Sequence, residues 1–375
     1  MNEKEVSELR RRFRPEKGNI ARIRGCYVNE QREIISEFMQ APGAMPQQEA
    51  EELLTILRKT LSGTIGKNLL DIEFATQQVL EGEEHRLLMT LRNSSLGDDD
   101  AVQTFYRHVI ESLQMEGNYL ILLALDTYDV PDFAKDGKRQ DDASEVFSYV
   151  LCSVCPVKLT KPVLGFSAFE STFRNIPADW AVSPPELGFL FPCFDDRSAN
   201  IYDALYYTRD TAEIHPEFVE AVFRHETPMP AAAQKEAFQS MLSEMGTAGC
   251  SLEVVSAVHD CLSGMIEEHK ANKEEEPPAV SKKILQGVLE SCGVGREQVA
   301  AFEQQYDATF GADAQLSPQN IIDANQFEVR TPDVTIRVKP ERSDLIQTRM
   351  IEGVKYLLIR AEEGVEVNGI GVTIS

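Results

Sequence analysis

The chain has no apolar run long enough to cross a bilayer. Its longest, Tyr119 to Leu125, falls far short of the roughly 20 residues that a spanning helix needs. The N-terminus, Met1 to Leu9, is charged and lacks the apolar stretch of an export signal. No membrane role and a cytoplasmic location are therefore expected. No GxSxG, HExxH or HxH spacing occurs, and the six histidines are scattered, so a serine triad or a zinc site has no support. Cysteine is scarce: seven, an odd and scattered set, reads as reduced thiols rather than a disulfide framework. Positive charge is short as well, with 37 Lys and Arg against 61 Asp and Glu, a formal charge of −24. A field of that sign repels phosphate backbones at long range, which disfavours nucleic acid but leaves room for a local basic groove.

What is present reads as a soluble globular protein. At 375 residues, 42% apolar and 26% charged, the chain is too long for one ordinary core. Residues 1–212 read as a mixed-sheet α+β domain. A short helix, Lys4 to Phe13, stops at Pro15 and Gly18, and strands follow at Ile20 to Val28 and Glu33 to Met39. A helix from Gln47 to Leu61 carries an apolar side. Strands are then expected at Leu69 to Ala75 and Arg86 to Leu91, and a helix at Ala101 to Met115, entered through Asp98 to Asp100. Asn118 to Asp126 is a continuous apolar strand, central and buried on both faces. Val146 to Leu159 is a further long strand, Val163 to Phe166 with Ser171 to Arg174 a hairpin, and Leu187 to Phe194 a core strand.

The character changes after Asp210. Residues 213–279 read as an acidic helical segment, with helices at Pro216 to His225, Ala231 to Met245 and Leu252 to His269, ending in a linker, KANKEEEPP. Residues 280–375 read as a small α+β module. It opens with a helix pair, Ser281 to Cys292 and Arg296 to Phe310. Strands follow at Gln326 to Arg330, Val334 to Val338 and Val354 to Arg360, then a hairpin turning at Asn368-Gly369.

Each chemical motif meets a plainer reading. LSGTIGKN, Leu61 to Asn68, lacks the first Gly and the Ser or Thr of a phosphate loop, and a helix precedes it. Cys152 and Cys155 fall three apart on one strand, so they point to opposite faces and cannot share a metal or a disulfide. DRSAN, from Asp196, has carboxylate and amide spacing like an EF-hand, but Ile201 stands where Gly is required and Tyr207 where Glu is. Asp195, Asp196, Asn200 and Asp203 could still hold Mg²⁺ or Mn²⁺ through oxygen ligands, and otherwise they cap a helix beginning near Ser198. The N-terminal segment is basic: Arg10, Arg11, Arg12, Arg14, Lys17, Arg22 and Arg24 face one acid, Glu16. Those arginines either contact nucleic acid or an acidic partner, or pair with the protein's own acids.

Long strings, among them RRRFRPEKGNIARIRGCYVNEQREIISEF, EGNYLILLALDTYDVP and PPELGFLFPCFDDRSANIYDALYYT, carry a resemblance over essentially the whole chain. They resemble an uncharacterised bacterial family known only as a domain of unknown function and typical of anaerobic Gram-positive bacteria. The resemblance implies no catalytic residues. The layout of flanked sheet, helical middle and small β end is also similar to that of bacterial nucleoid-associated proteins. The leading expectation is a soluble, acidic, non-catalytic binding or scaffold protein with a protein partner and no cofactor. Two other readings are a divalent-cation-dependent hydrolase using the Asp195/Asp196 cluster and a nucleoid-associated protein.

Overall fold

The apolar run from Asn118 becomes an interior strand because both of its faces are buried. In the computed structural model, which describes residues 1–130, 132–133, 139–140, 146–246, 250–272, 276–361, 364–367 and 369–372, the chain divides into two compact units, Met1–Pro230 and Ala231–Ser375. The first unit is built on an eight-stranded sheet. The strands of this unit are β1 (Arg22–Val28), β2 (Ile34–Gln40), β3 (Leu69–Glu73) and β4 (Asn118–Asp129). After the two-residue strands β5 (Asp132–Phe133) and β6 (Arg139–Gln140) come β7 (Val146–Leu159), β8 (Val163–Ser167), β9 (Thr172–Ile176), β10 (Trp180–Val182) and β11 (Leu187–Phe191). Last are β12 (Cys193–Asp195), β13 (Ser198–Asn200) and β14 (Asp203–Thr208). The sheet runs β2-β1-β4-β7-β11-β14-β3, and β10 pairs with the end of β7. All of its ladders are antiparallel rather than mixed.

Six helices cover the sheet: α1 (Glu3–Arg10), α2 (Gln47–Lys59), α3 (Thr76–Glu81), α4 (Glu83–Asn93), α5 (Asp99–Ser112) and α6 (Pro216–Phe223). Side chains alternate along a strand, so each central strand feeds two cores. Ile121, Leu123, Cys152 and Val154 join Leu88, Leu91, Phe105, Phe218 and Phe223 on one face. Leu122, Ala124, Leu151 and Cys155 join Val6, Leu9, Leu54 and Leu57 on the other. Cys152 and Cys155 thus lie in opposite layers. The end of α2 seats against the sheet where Gly188 leaves room. A Cβ there would stand 2.2 Å from the Cys152 carbonyl oxygen and 2.7 Å from Thr60 Cγ2. Beside it the buried hydroxyls of Thr60 and Ser153 meet at 2.6 Å.

Three expectations change. Arg86 to Leu91 is not a strand but the middle of α4, which turns Leu88 and Leu91 onto the sheet; a short apolar run carries no period of its own. The strand expected over Leu187 to Phe194 breaks at Pro192, which has no N–H to give a ladder. No helix begins near Ser198. β12 and β13 form a hairpin there, turning on Asp196 and Arg197 at φ 46° and 64°, the paired positive φ of a type I′ turn.

Phe218, Val219, Val222 and Phe223 of α6 belong to the first unit's core. The second unit packs helices α7 (Ala231–Glu244), α8 (Leu252–Asn272), α9 (Lys282–Ser291) and α10 (Arg296–Phe310) around Phe238, Leu262, Leu289, Phe302 and Tyr306. Hairpins Phe327–Arg330 with Thr335–Val338, Ile346–Ile351 with Val354–Ile359, and Val365–Val367 with Ile370–Val372 follow. The strand Ile346–Ile351 has no counterpart in the sequence reading. Of the expected linker, residues 273–275 lie outside the described residues, as does Asn368 of the expected turn.

Candidate functional site

Asp195, Asn200 and Asp203 are brought together by the β12–β13 hairpin and the start of β14. The Asn200 amide nitrogen donates to Asp203 Oδ2 at 2.6 Å and lies 3.4 Å from Asp195 Oδ2. Its oxygen accepts the Tyr202 N–H at 3.0 Å, which fixes the amide's direction. Asp196 sits in the turn itself. Burial raises the Asp203 carboxyl above the ordinary aspartate range; the Met1 ammonium opposes this, while Glu73 and Asp195 add like charge. That ammonium lies 3.9 Å from Asp71 Oδ1. An amide between two carboxylates is the arrangement of a hydrogen-bonded hairpin corner. Among the described residues no group of three or more His, Cys, Asp or Glu could hold a metal ion.

The basic segment is split by the fold. Arg12 turns inward, donating from Nε to Asp126 Oδ2 at 2.5 Å and from Nη2 to Asp126 Oδ1 at 2.9 Å and the Thr127 carbonyl at 3.0 Å. Its guanidinium stacks 4.3 Å from the Tyr128 ring centre. Asp126 is 1% exposed and also accepts from Tyr149 Oη at 2.8 Å and from the Asn19 N–H at 2.8 Å. Burial alone would lower the Arg12 pKa, but Asp126 more than offsets it and the pKa rises. Arg24 pairs with Asp99 at 2.5 Å, Arg22 reaches the Ser95 carbonyl and Arg10 the Leu61 carbonyl, each at 3.4 Å. Arg11 and Arg14 stay exposed, with no ion pair among the described residues. Arg14 instead shares a cleft of about 290 Å³ with Arg58, Thr55, Phe13, Glu16 and Glu51. The sequence signal for Arg58 was the basic last turn of α2.

The thiols offer no nucleophile in the first unit. Burial pushes Cys26 and Cys155 up to about 12 and Cys152 and Cys193 well above the ordinary thiol value, so all four are protonated at neutral pH.

An exposed apolar surface lies elsewhere, between β7 and β11 in the sequence. Strands β8 and β9 pair only with each other among the described residues. Leu164, Phe166 and Phe173 stand on one face of that hairpin and Val163 and Ile176 on the other, and all five are exposed. Phe166 and Phe173 face each other edge-on at 5.4 Å. Phe169, at the hairpin's end, is 99% exposed, and Trp180 of β10 is exposed too. Sequence reasoning placed the hairpin but not its exposure, since alternating apolar residues read as one buried face.

No described helix is long and apolar enough to cross a membrane. No curated protein matches the chain. The profile of a family described as "Domain of unknown function (DUF4317)" matches residues 1–370, and the chain belongs to that family.

Proposed function

We propose that this protein is a non-catalytic scaffold that assembles through the arm from Lys158 to Val182, with a second copy of itself as the partner. The observation that carries the reading is the arm's uncovered apolar surface. A two-stranded hairpin with no third strand is marginal in water and needs cover to hold its fold. Phe166, Phe169, Phe173 and Trp180 are each more than half exposed. Burying them would remove on the order of 600 Å² per copy, and Leu164, on the face that Phe166 and Phe173 share, adds to it toward the roughly 800 Å² per partner of a standard interface. Charge supports the choice of occupant. Lys158, Lys161 and Arg174 oppose Glu170 and Asp179 within the arm, which leaves it almost neutral in a chain of −24. Two such copies repel over most of their surface and can approach here. An isologous contact uses the same patch on both copies.

Sedimentation equilibrium of the full chain from about 1 to 100 μM tests this. A concentration-dependent dimer is expected, lost in the double variant Phe169→Ser/Phe173→Ser while the far-ultraviolet circular dichroism is unchanged. A monomer throughout that range, or a variant that dimerises as well as the parent, overturns the reading.

A further inference from the structure

The cleft that Arg14 shares with α2 is bounded by two walls of mixed charge. One wall is a face of α2, on which Glu51, Thr55 and Arg58 recur at i, i+4 and i+7. Glu51 and Arg58 stand two turns apart there, about 10 Å along the axis. The other wall is the turn that follows α1, where the Arg14 carbonyl accepts the N–H groups of Lys17 and Gly18 at 3.0 Å each and so fixes Arg14 and Glu16 in one corner. Phe13, 2% exposed, and Pro15 supply the apolar part. Each wall thus brings one base and one acid to a space of about 290 Å³, close to the lower end of small-ligand sites. The opposite charges do not neutralise one another. Among the described residues no ion pair joins any two of Arg14, Glu16, Glu51 and Arg58. Glu51 accepts the Gln47 side-chain amide with one oxygen, at 2.8 Å.

A ligand with one charge gains little here. An anion meets two guanidinia but also two carboxylates, and a cation meets the same balance reversed. A molecule that carries both charges satisfies both sets. We infer that the cleft binds a free α-amino acid with an apolar side chain. Its carboxylate lies on Arg14 and Arg58, whose planar forks match that group. Its ammonium lies on Glu16 and Glu51, and its side chain rests against Phe13 and Pro15. Blocking either end of the ligand removes one of the two sets and leaves the other opposed by its neighbours.

Calorimetric titration of the full chain at low ionic strength, where exposed charges are least screened, separates these contributions. L-leucine is compared with N-acetyl-L-leucine, which keeps only the carboxylate, and with L-leucinamide, which keeps only the ammonium. Leucine is expected to bind at one site per chain and about tenfold more tightly than either. Arg58→Met should cost leucine about tenfold and leave leucinamide within about twofold. Glu51→Gln should cost leucine about as much and leave N-acetyl-leucine within about twofold. Thr55→Trp, a change at an exposed position of the helix wall, should abolish binding of all three while thermal unfolding is unaltered. Either analogue binding as tightly as leucine, an unchanged leucine affinity in Arg58→Met or Glu51→Gln, or no heat at millimolar leucine each overturns the inference. The site is independent of the arm, so a monomeric parent would leave this result standing.

Discussion

Removing the Arg12 guanidinium should unfold the first unit far more readily than removing any of its exposed neighbours. Arg12→Ala leaves Asp126, at 1% exposure, with two of its donors, the Tyr149 hydroxyl and the Asn19 N–H, and no counter-charge. Breaking one side of a buried ion pair costs about 3–5 kcal/mol, a large part of the roughly 5–15 kcal/mol that holds a typical domain. The guanidinium keeps a little solvent contact, 13% of its side chain, which places the expected cost near the lower figure, about 3 kcal/mol. Arg12→Lys retains charge but not the two-pronged fit, and about half that loss is expected. The double variant Arg12→Met/Asp126→Leu removes both charges, so its cost should fall at least about 1 kcal/mol below the sum of the single changes. Two units need not unfold together. Hydrogen exchange of β4 and β7 peptides along a urea series reads the first unit alone. A loss under about 1 kcal/mol in Arg12→Ala, or additive single changes, would refute the assignment of Arg12 as a buried structural cation.

A second expectation concerns Asp203, whose folded pKa is raised. The stability that its protonation provides is complete below the unfolded value, about 3.9, and is lost as pH rises through the folded value. Asp203→Asn keeps an acceptor for Asn200 and should raise the melting temperature at pH 7 by about 2 °C, flattening the acid-to-neutral decline; a variant less stable than the parent at pH 7 contradicts this. A third concerns nucleic acid. With Arg12 and Arg24 committed to Asp126 and Asp99, too few arginines remain for a phosphate track, and no duplex DNA binding is expected at physiological salt. Sub-micromolar affinity that falls steeply with salt and disappears in Arg11→Glu/Arg14→Glu would show otherwise.

Period and punctuation made most elements legible. Val146 to Leu159 and Arg296 to Phe310 occur in the fold as the sequence reading has them, because a long continuous apolar run rich in β-formers and a long amphipathic run each permit one reading. The α4 segment failed for the opposite reason: RLLMTL is too short to show a period, and tertiary packing chose helix. The corner at Asp196-Arg197 was hidden because both residues adopt positive φ without glycine, so DRSAN resembled a ligand loop or a cap instead of a hairpin turn. The fate of Arg12 was not local at all. Its partner lies 114 positions away, and nothing in RRRFR distinguishes the inward arginine from its exposed neighbours. The cleft between Arg14 and Arg58 is likewise a product of packing between segments remote in sequence.

The strand order sets a timetable for the chain as it is made. β3 closes one edge of the sheet by pairing with β14, and Asn68 donates to the Thr208 carbonyl 140 positions later. At about 5–20 residues per second, that partner follows after roughly 7–30 seconds of synthesis. Over that interval Leu69, Leu70 and Ile72, buried in the finished sheet, have no strand to lie against. The β4–β7 ladder, twelve residue pairs from a nearer stretch of chain, completes well before it. The nascent first unit is therefore a hairpin core carrying an unpaired early strand, and that strand is where a chaperone would be needed most.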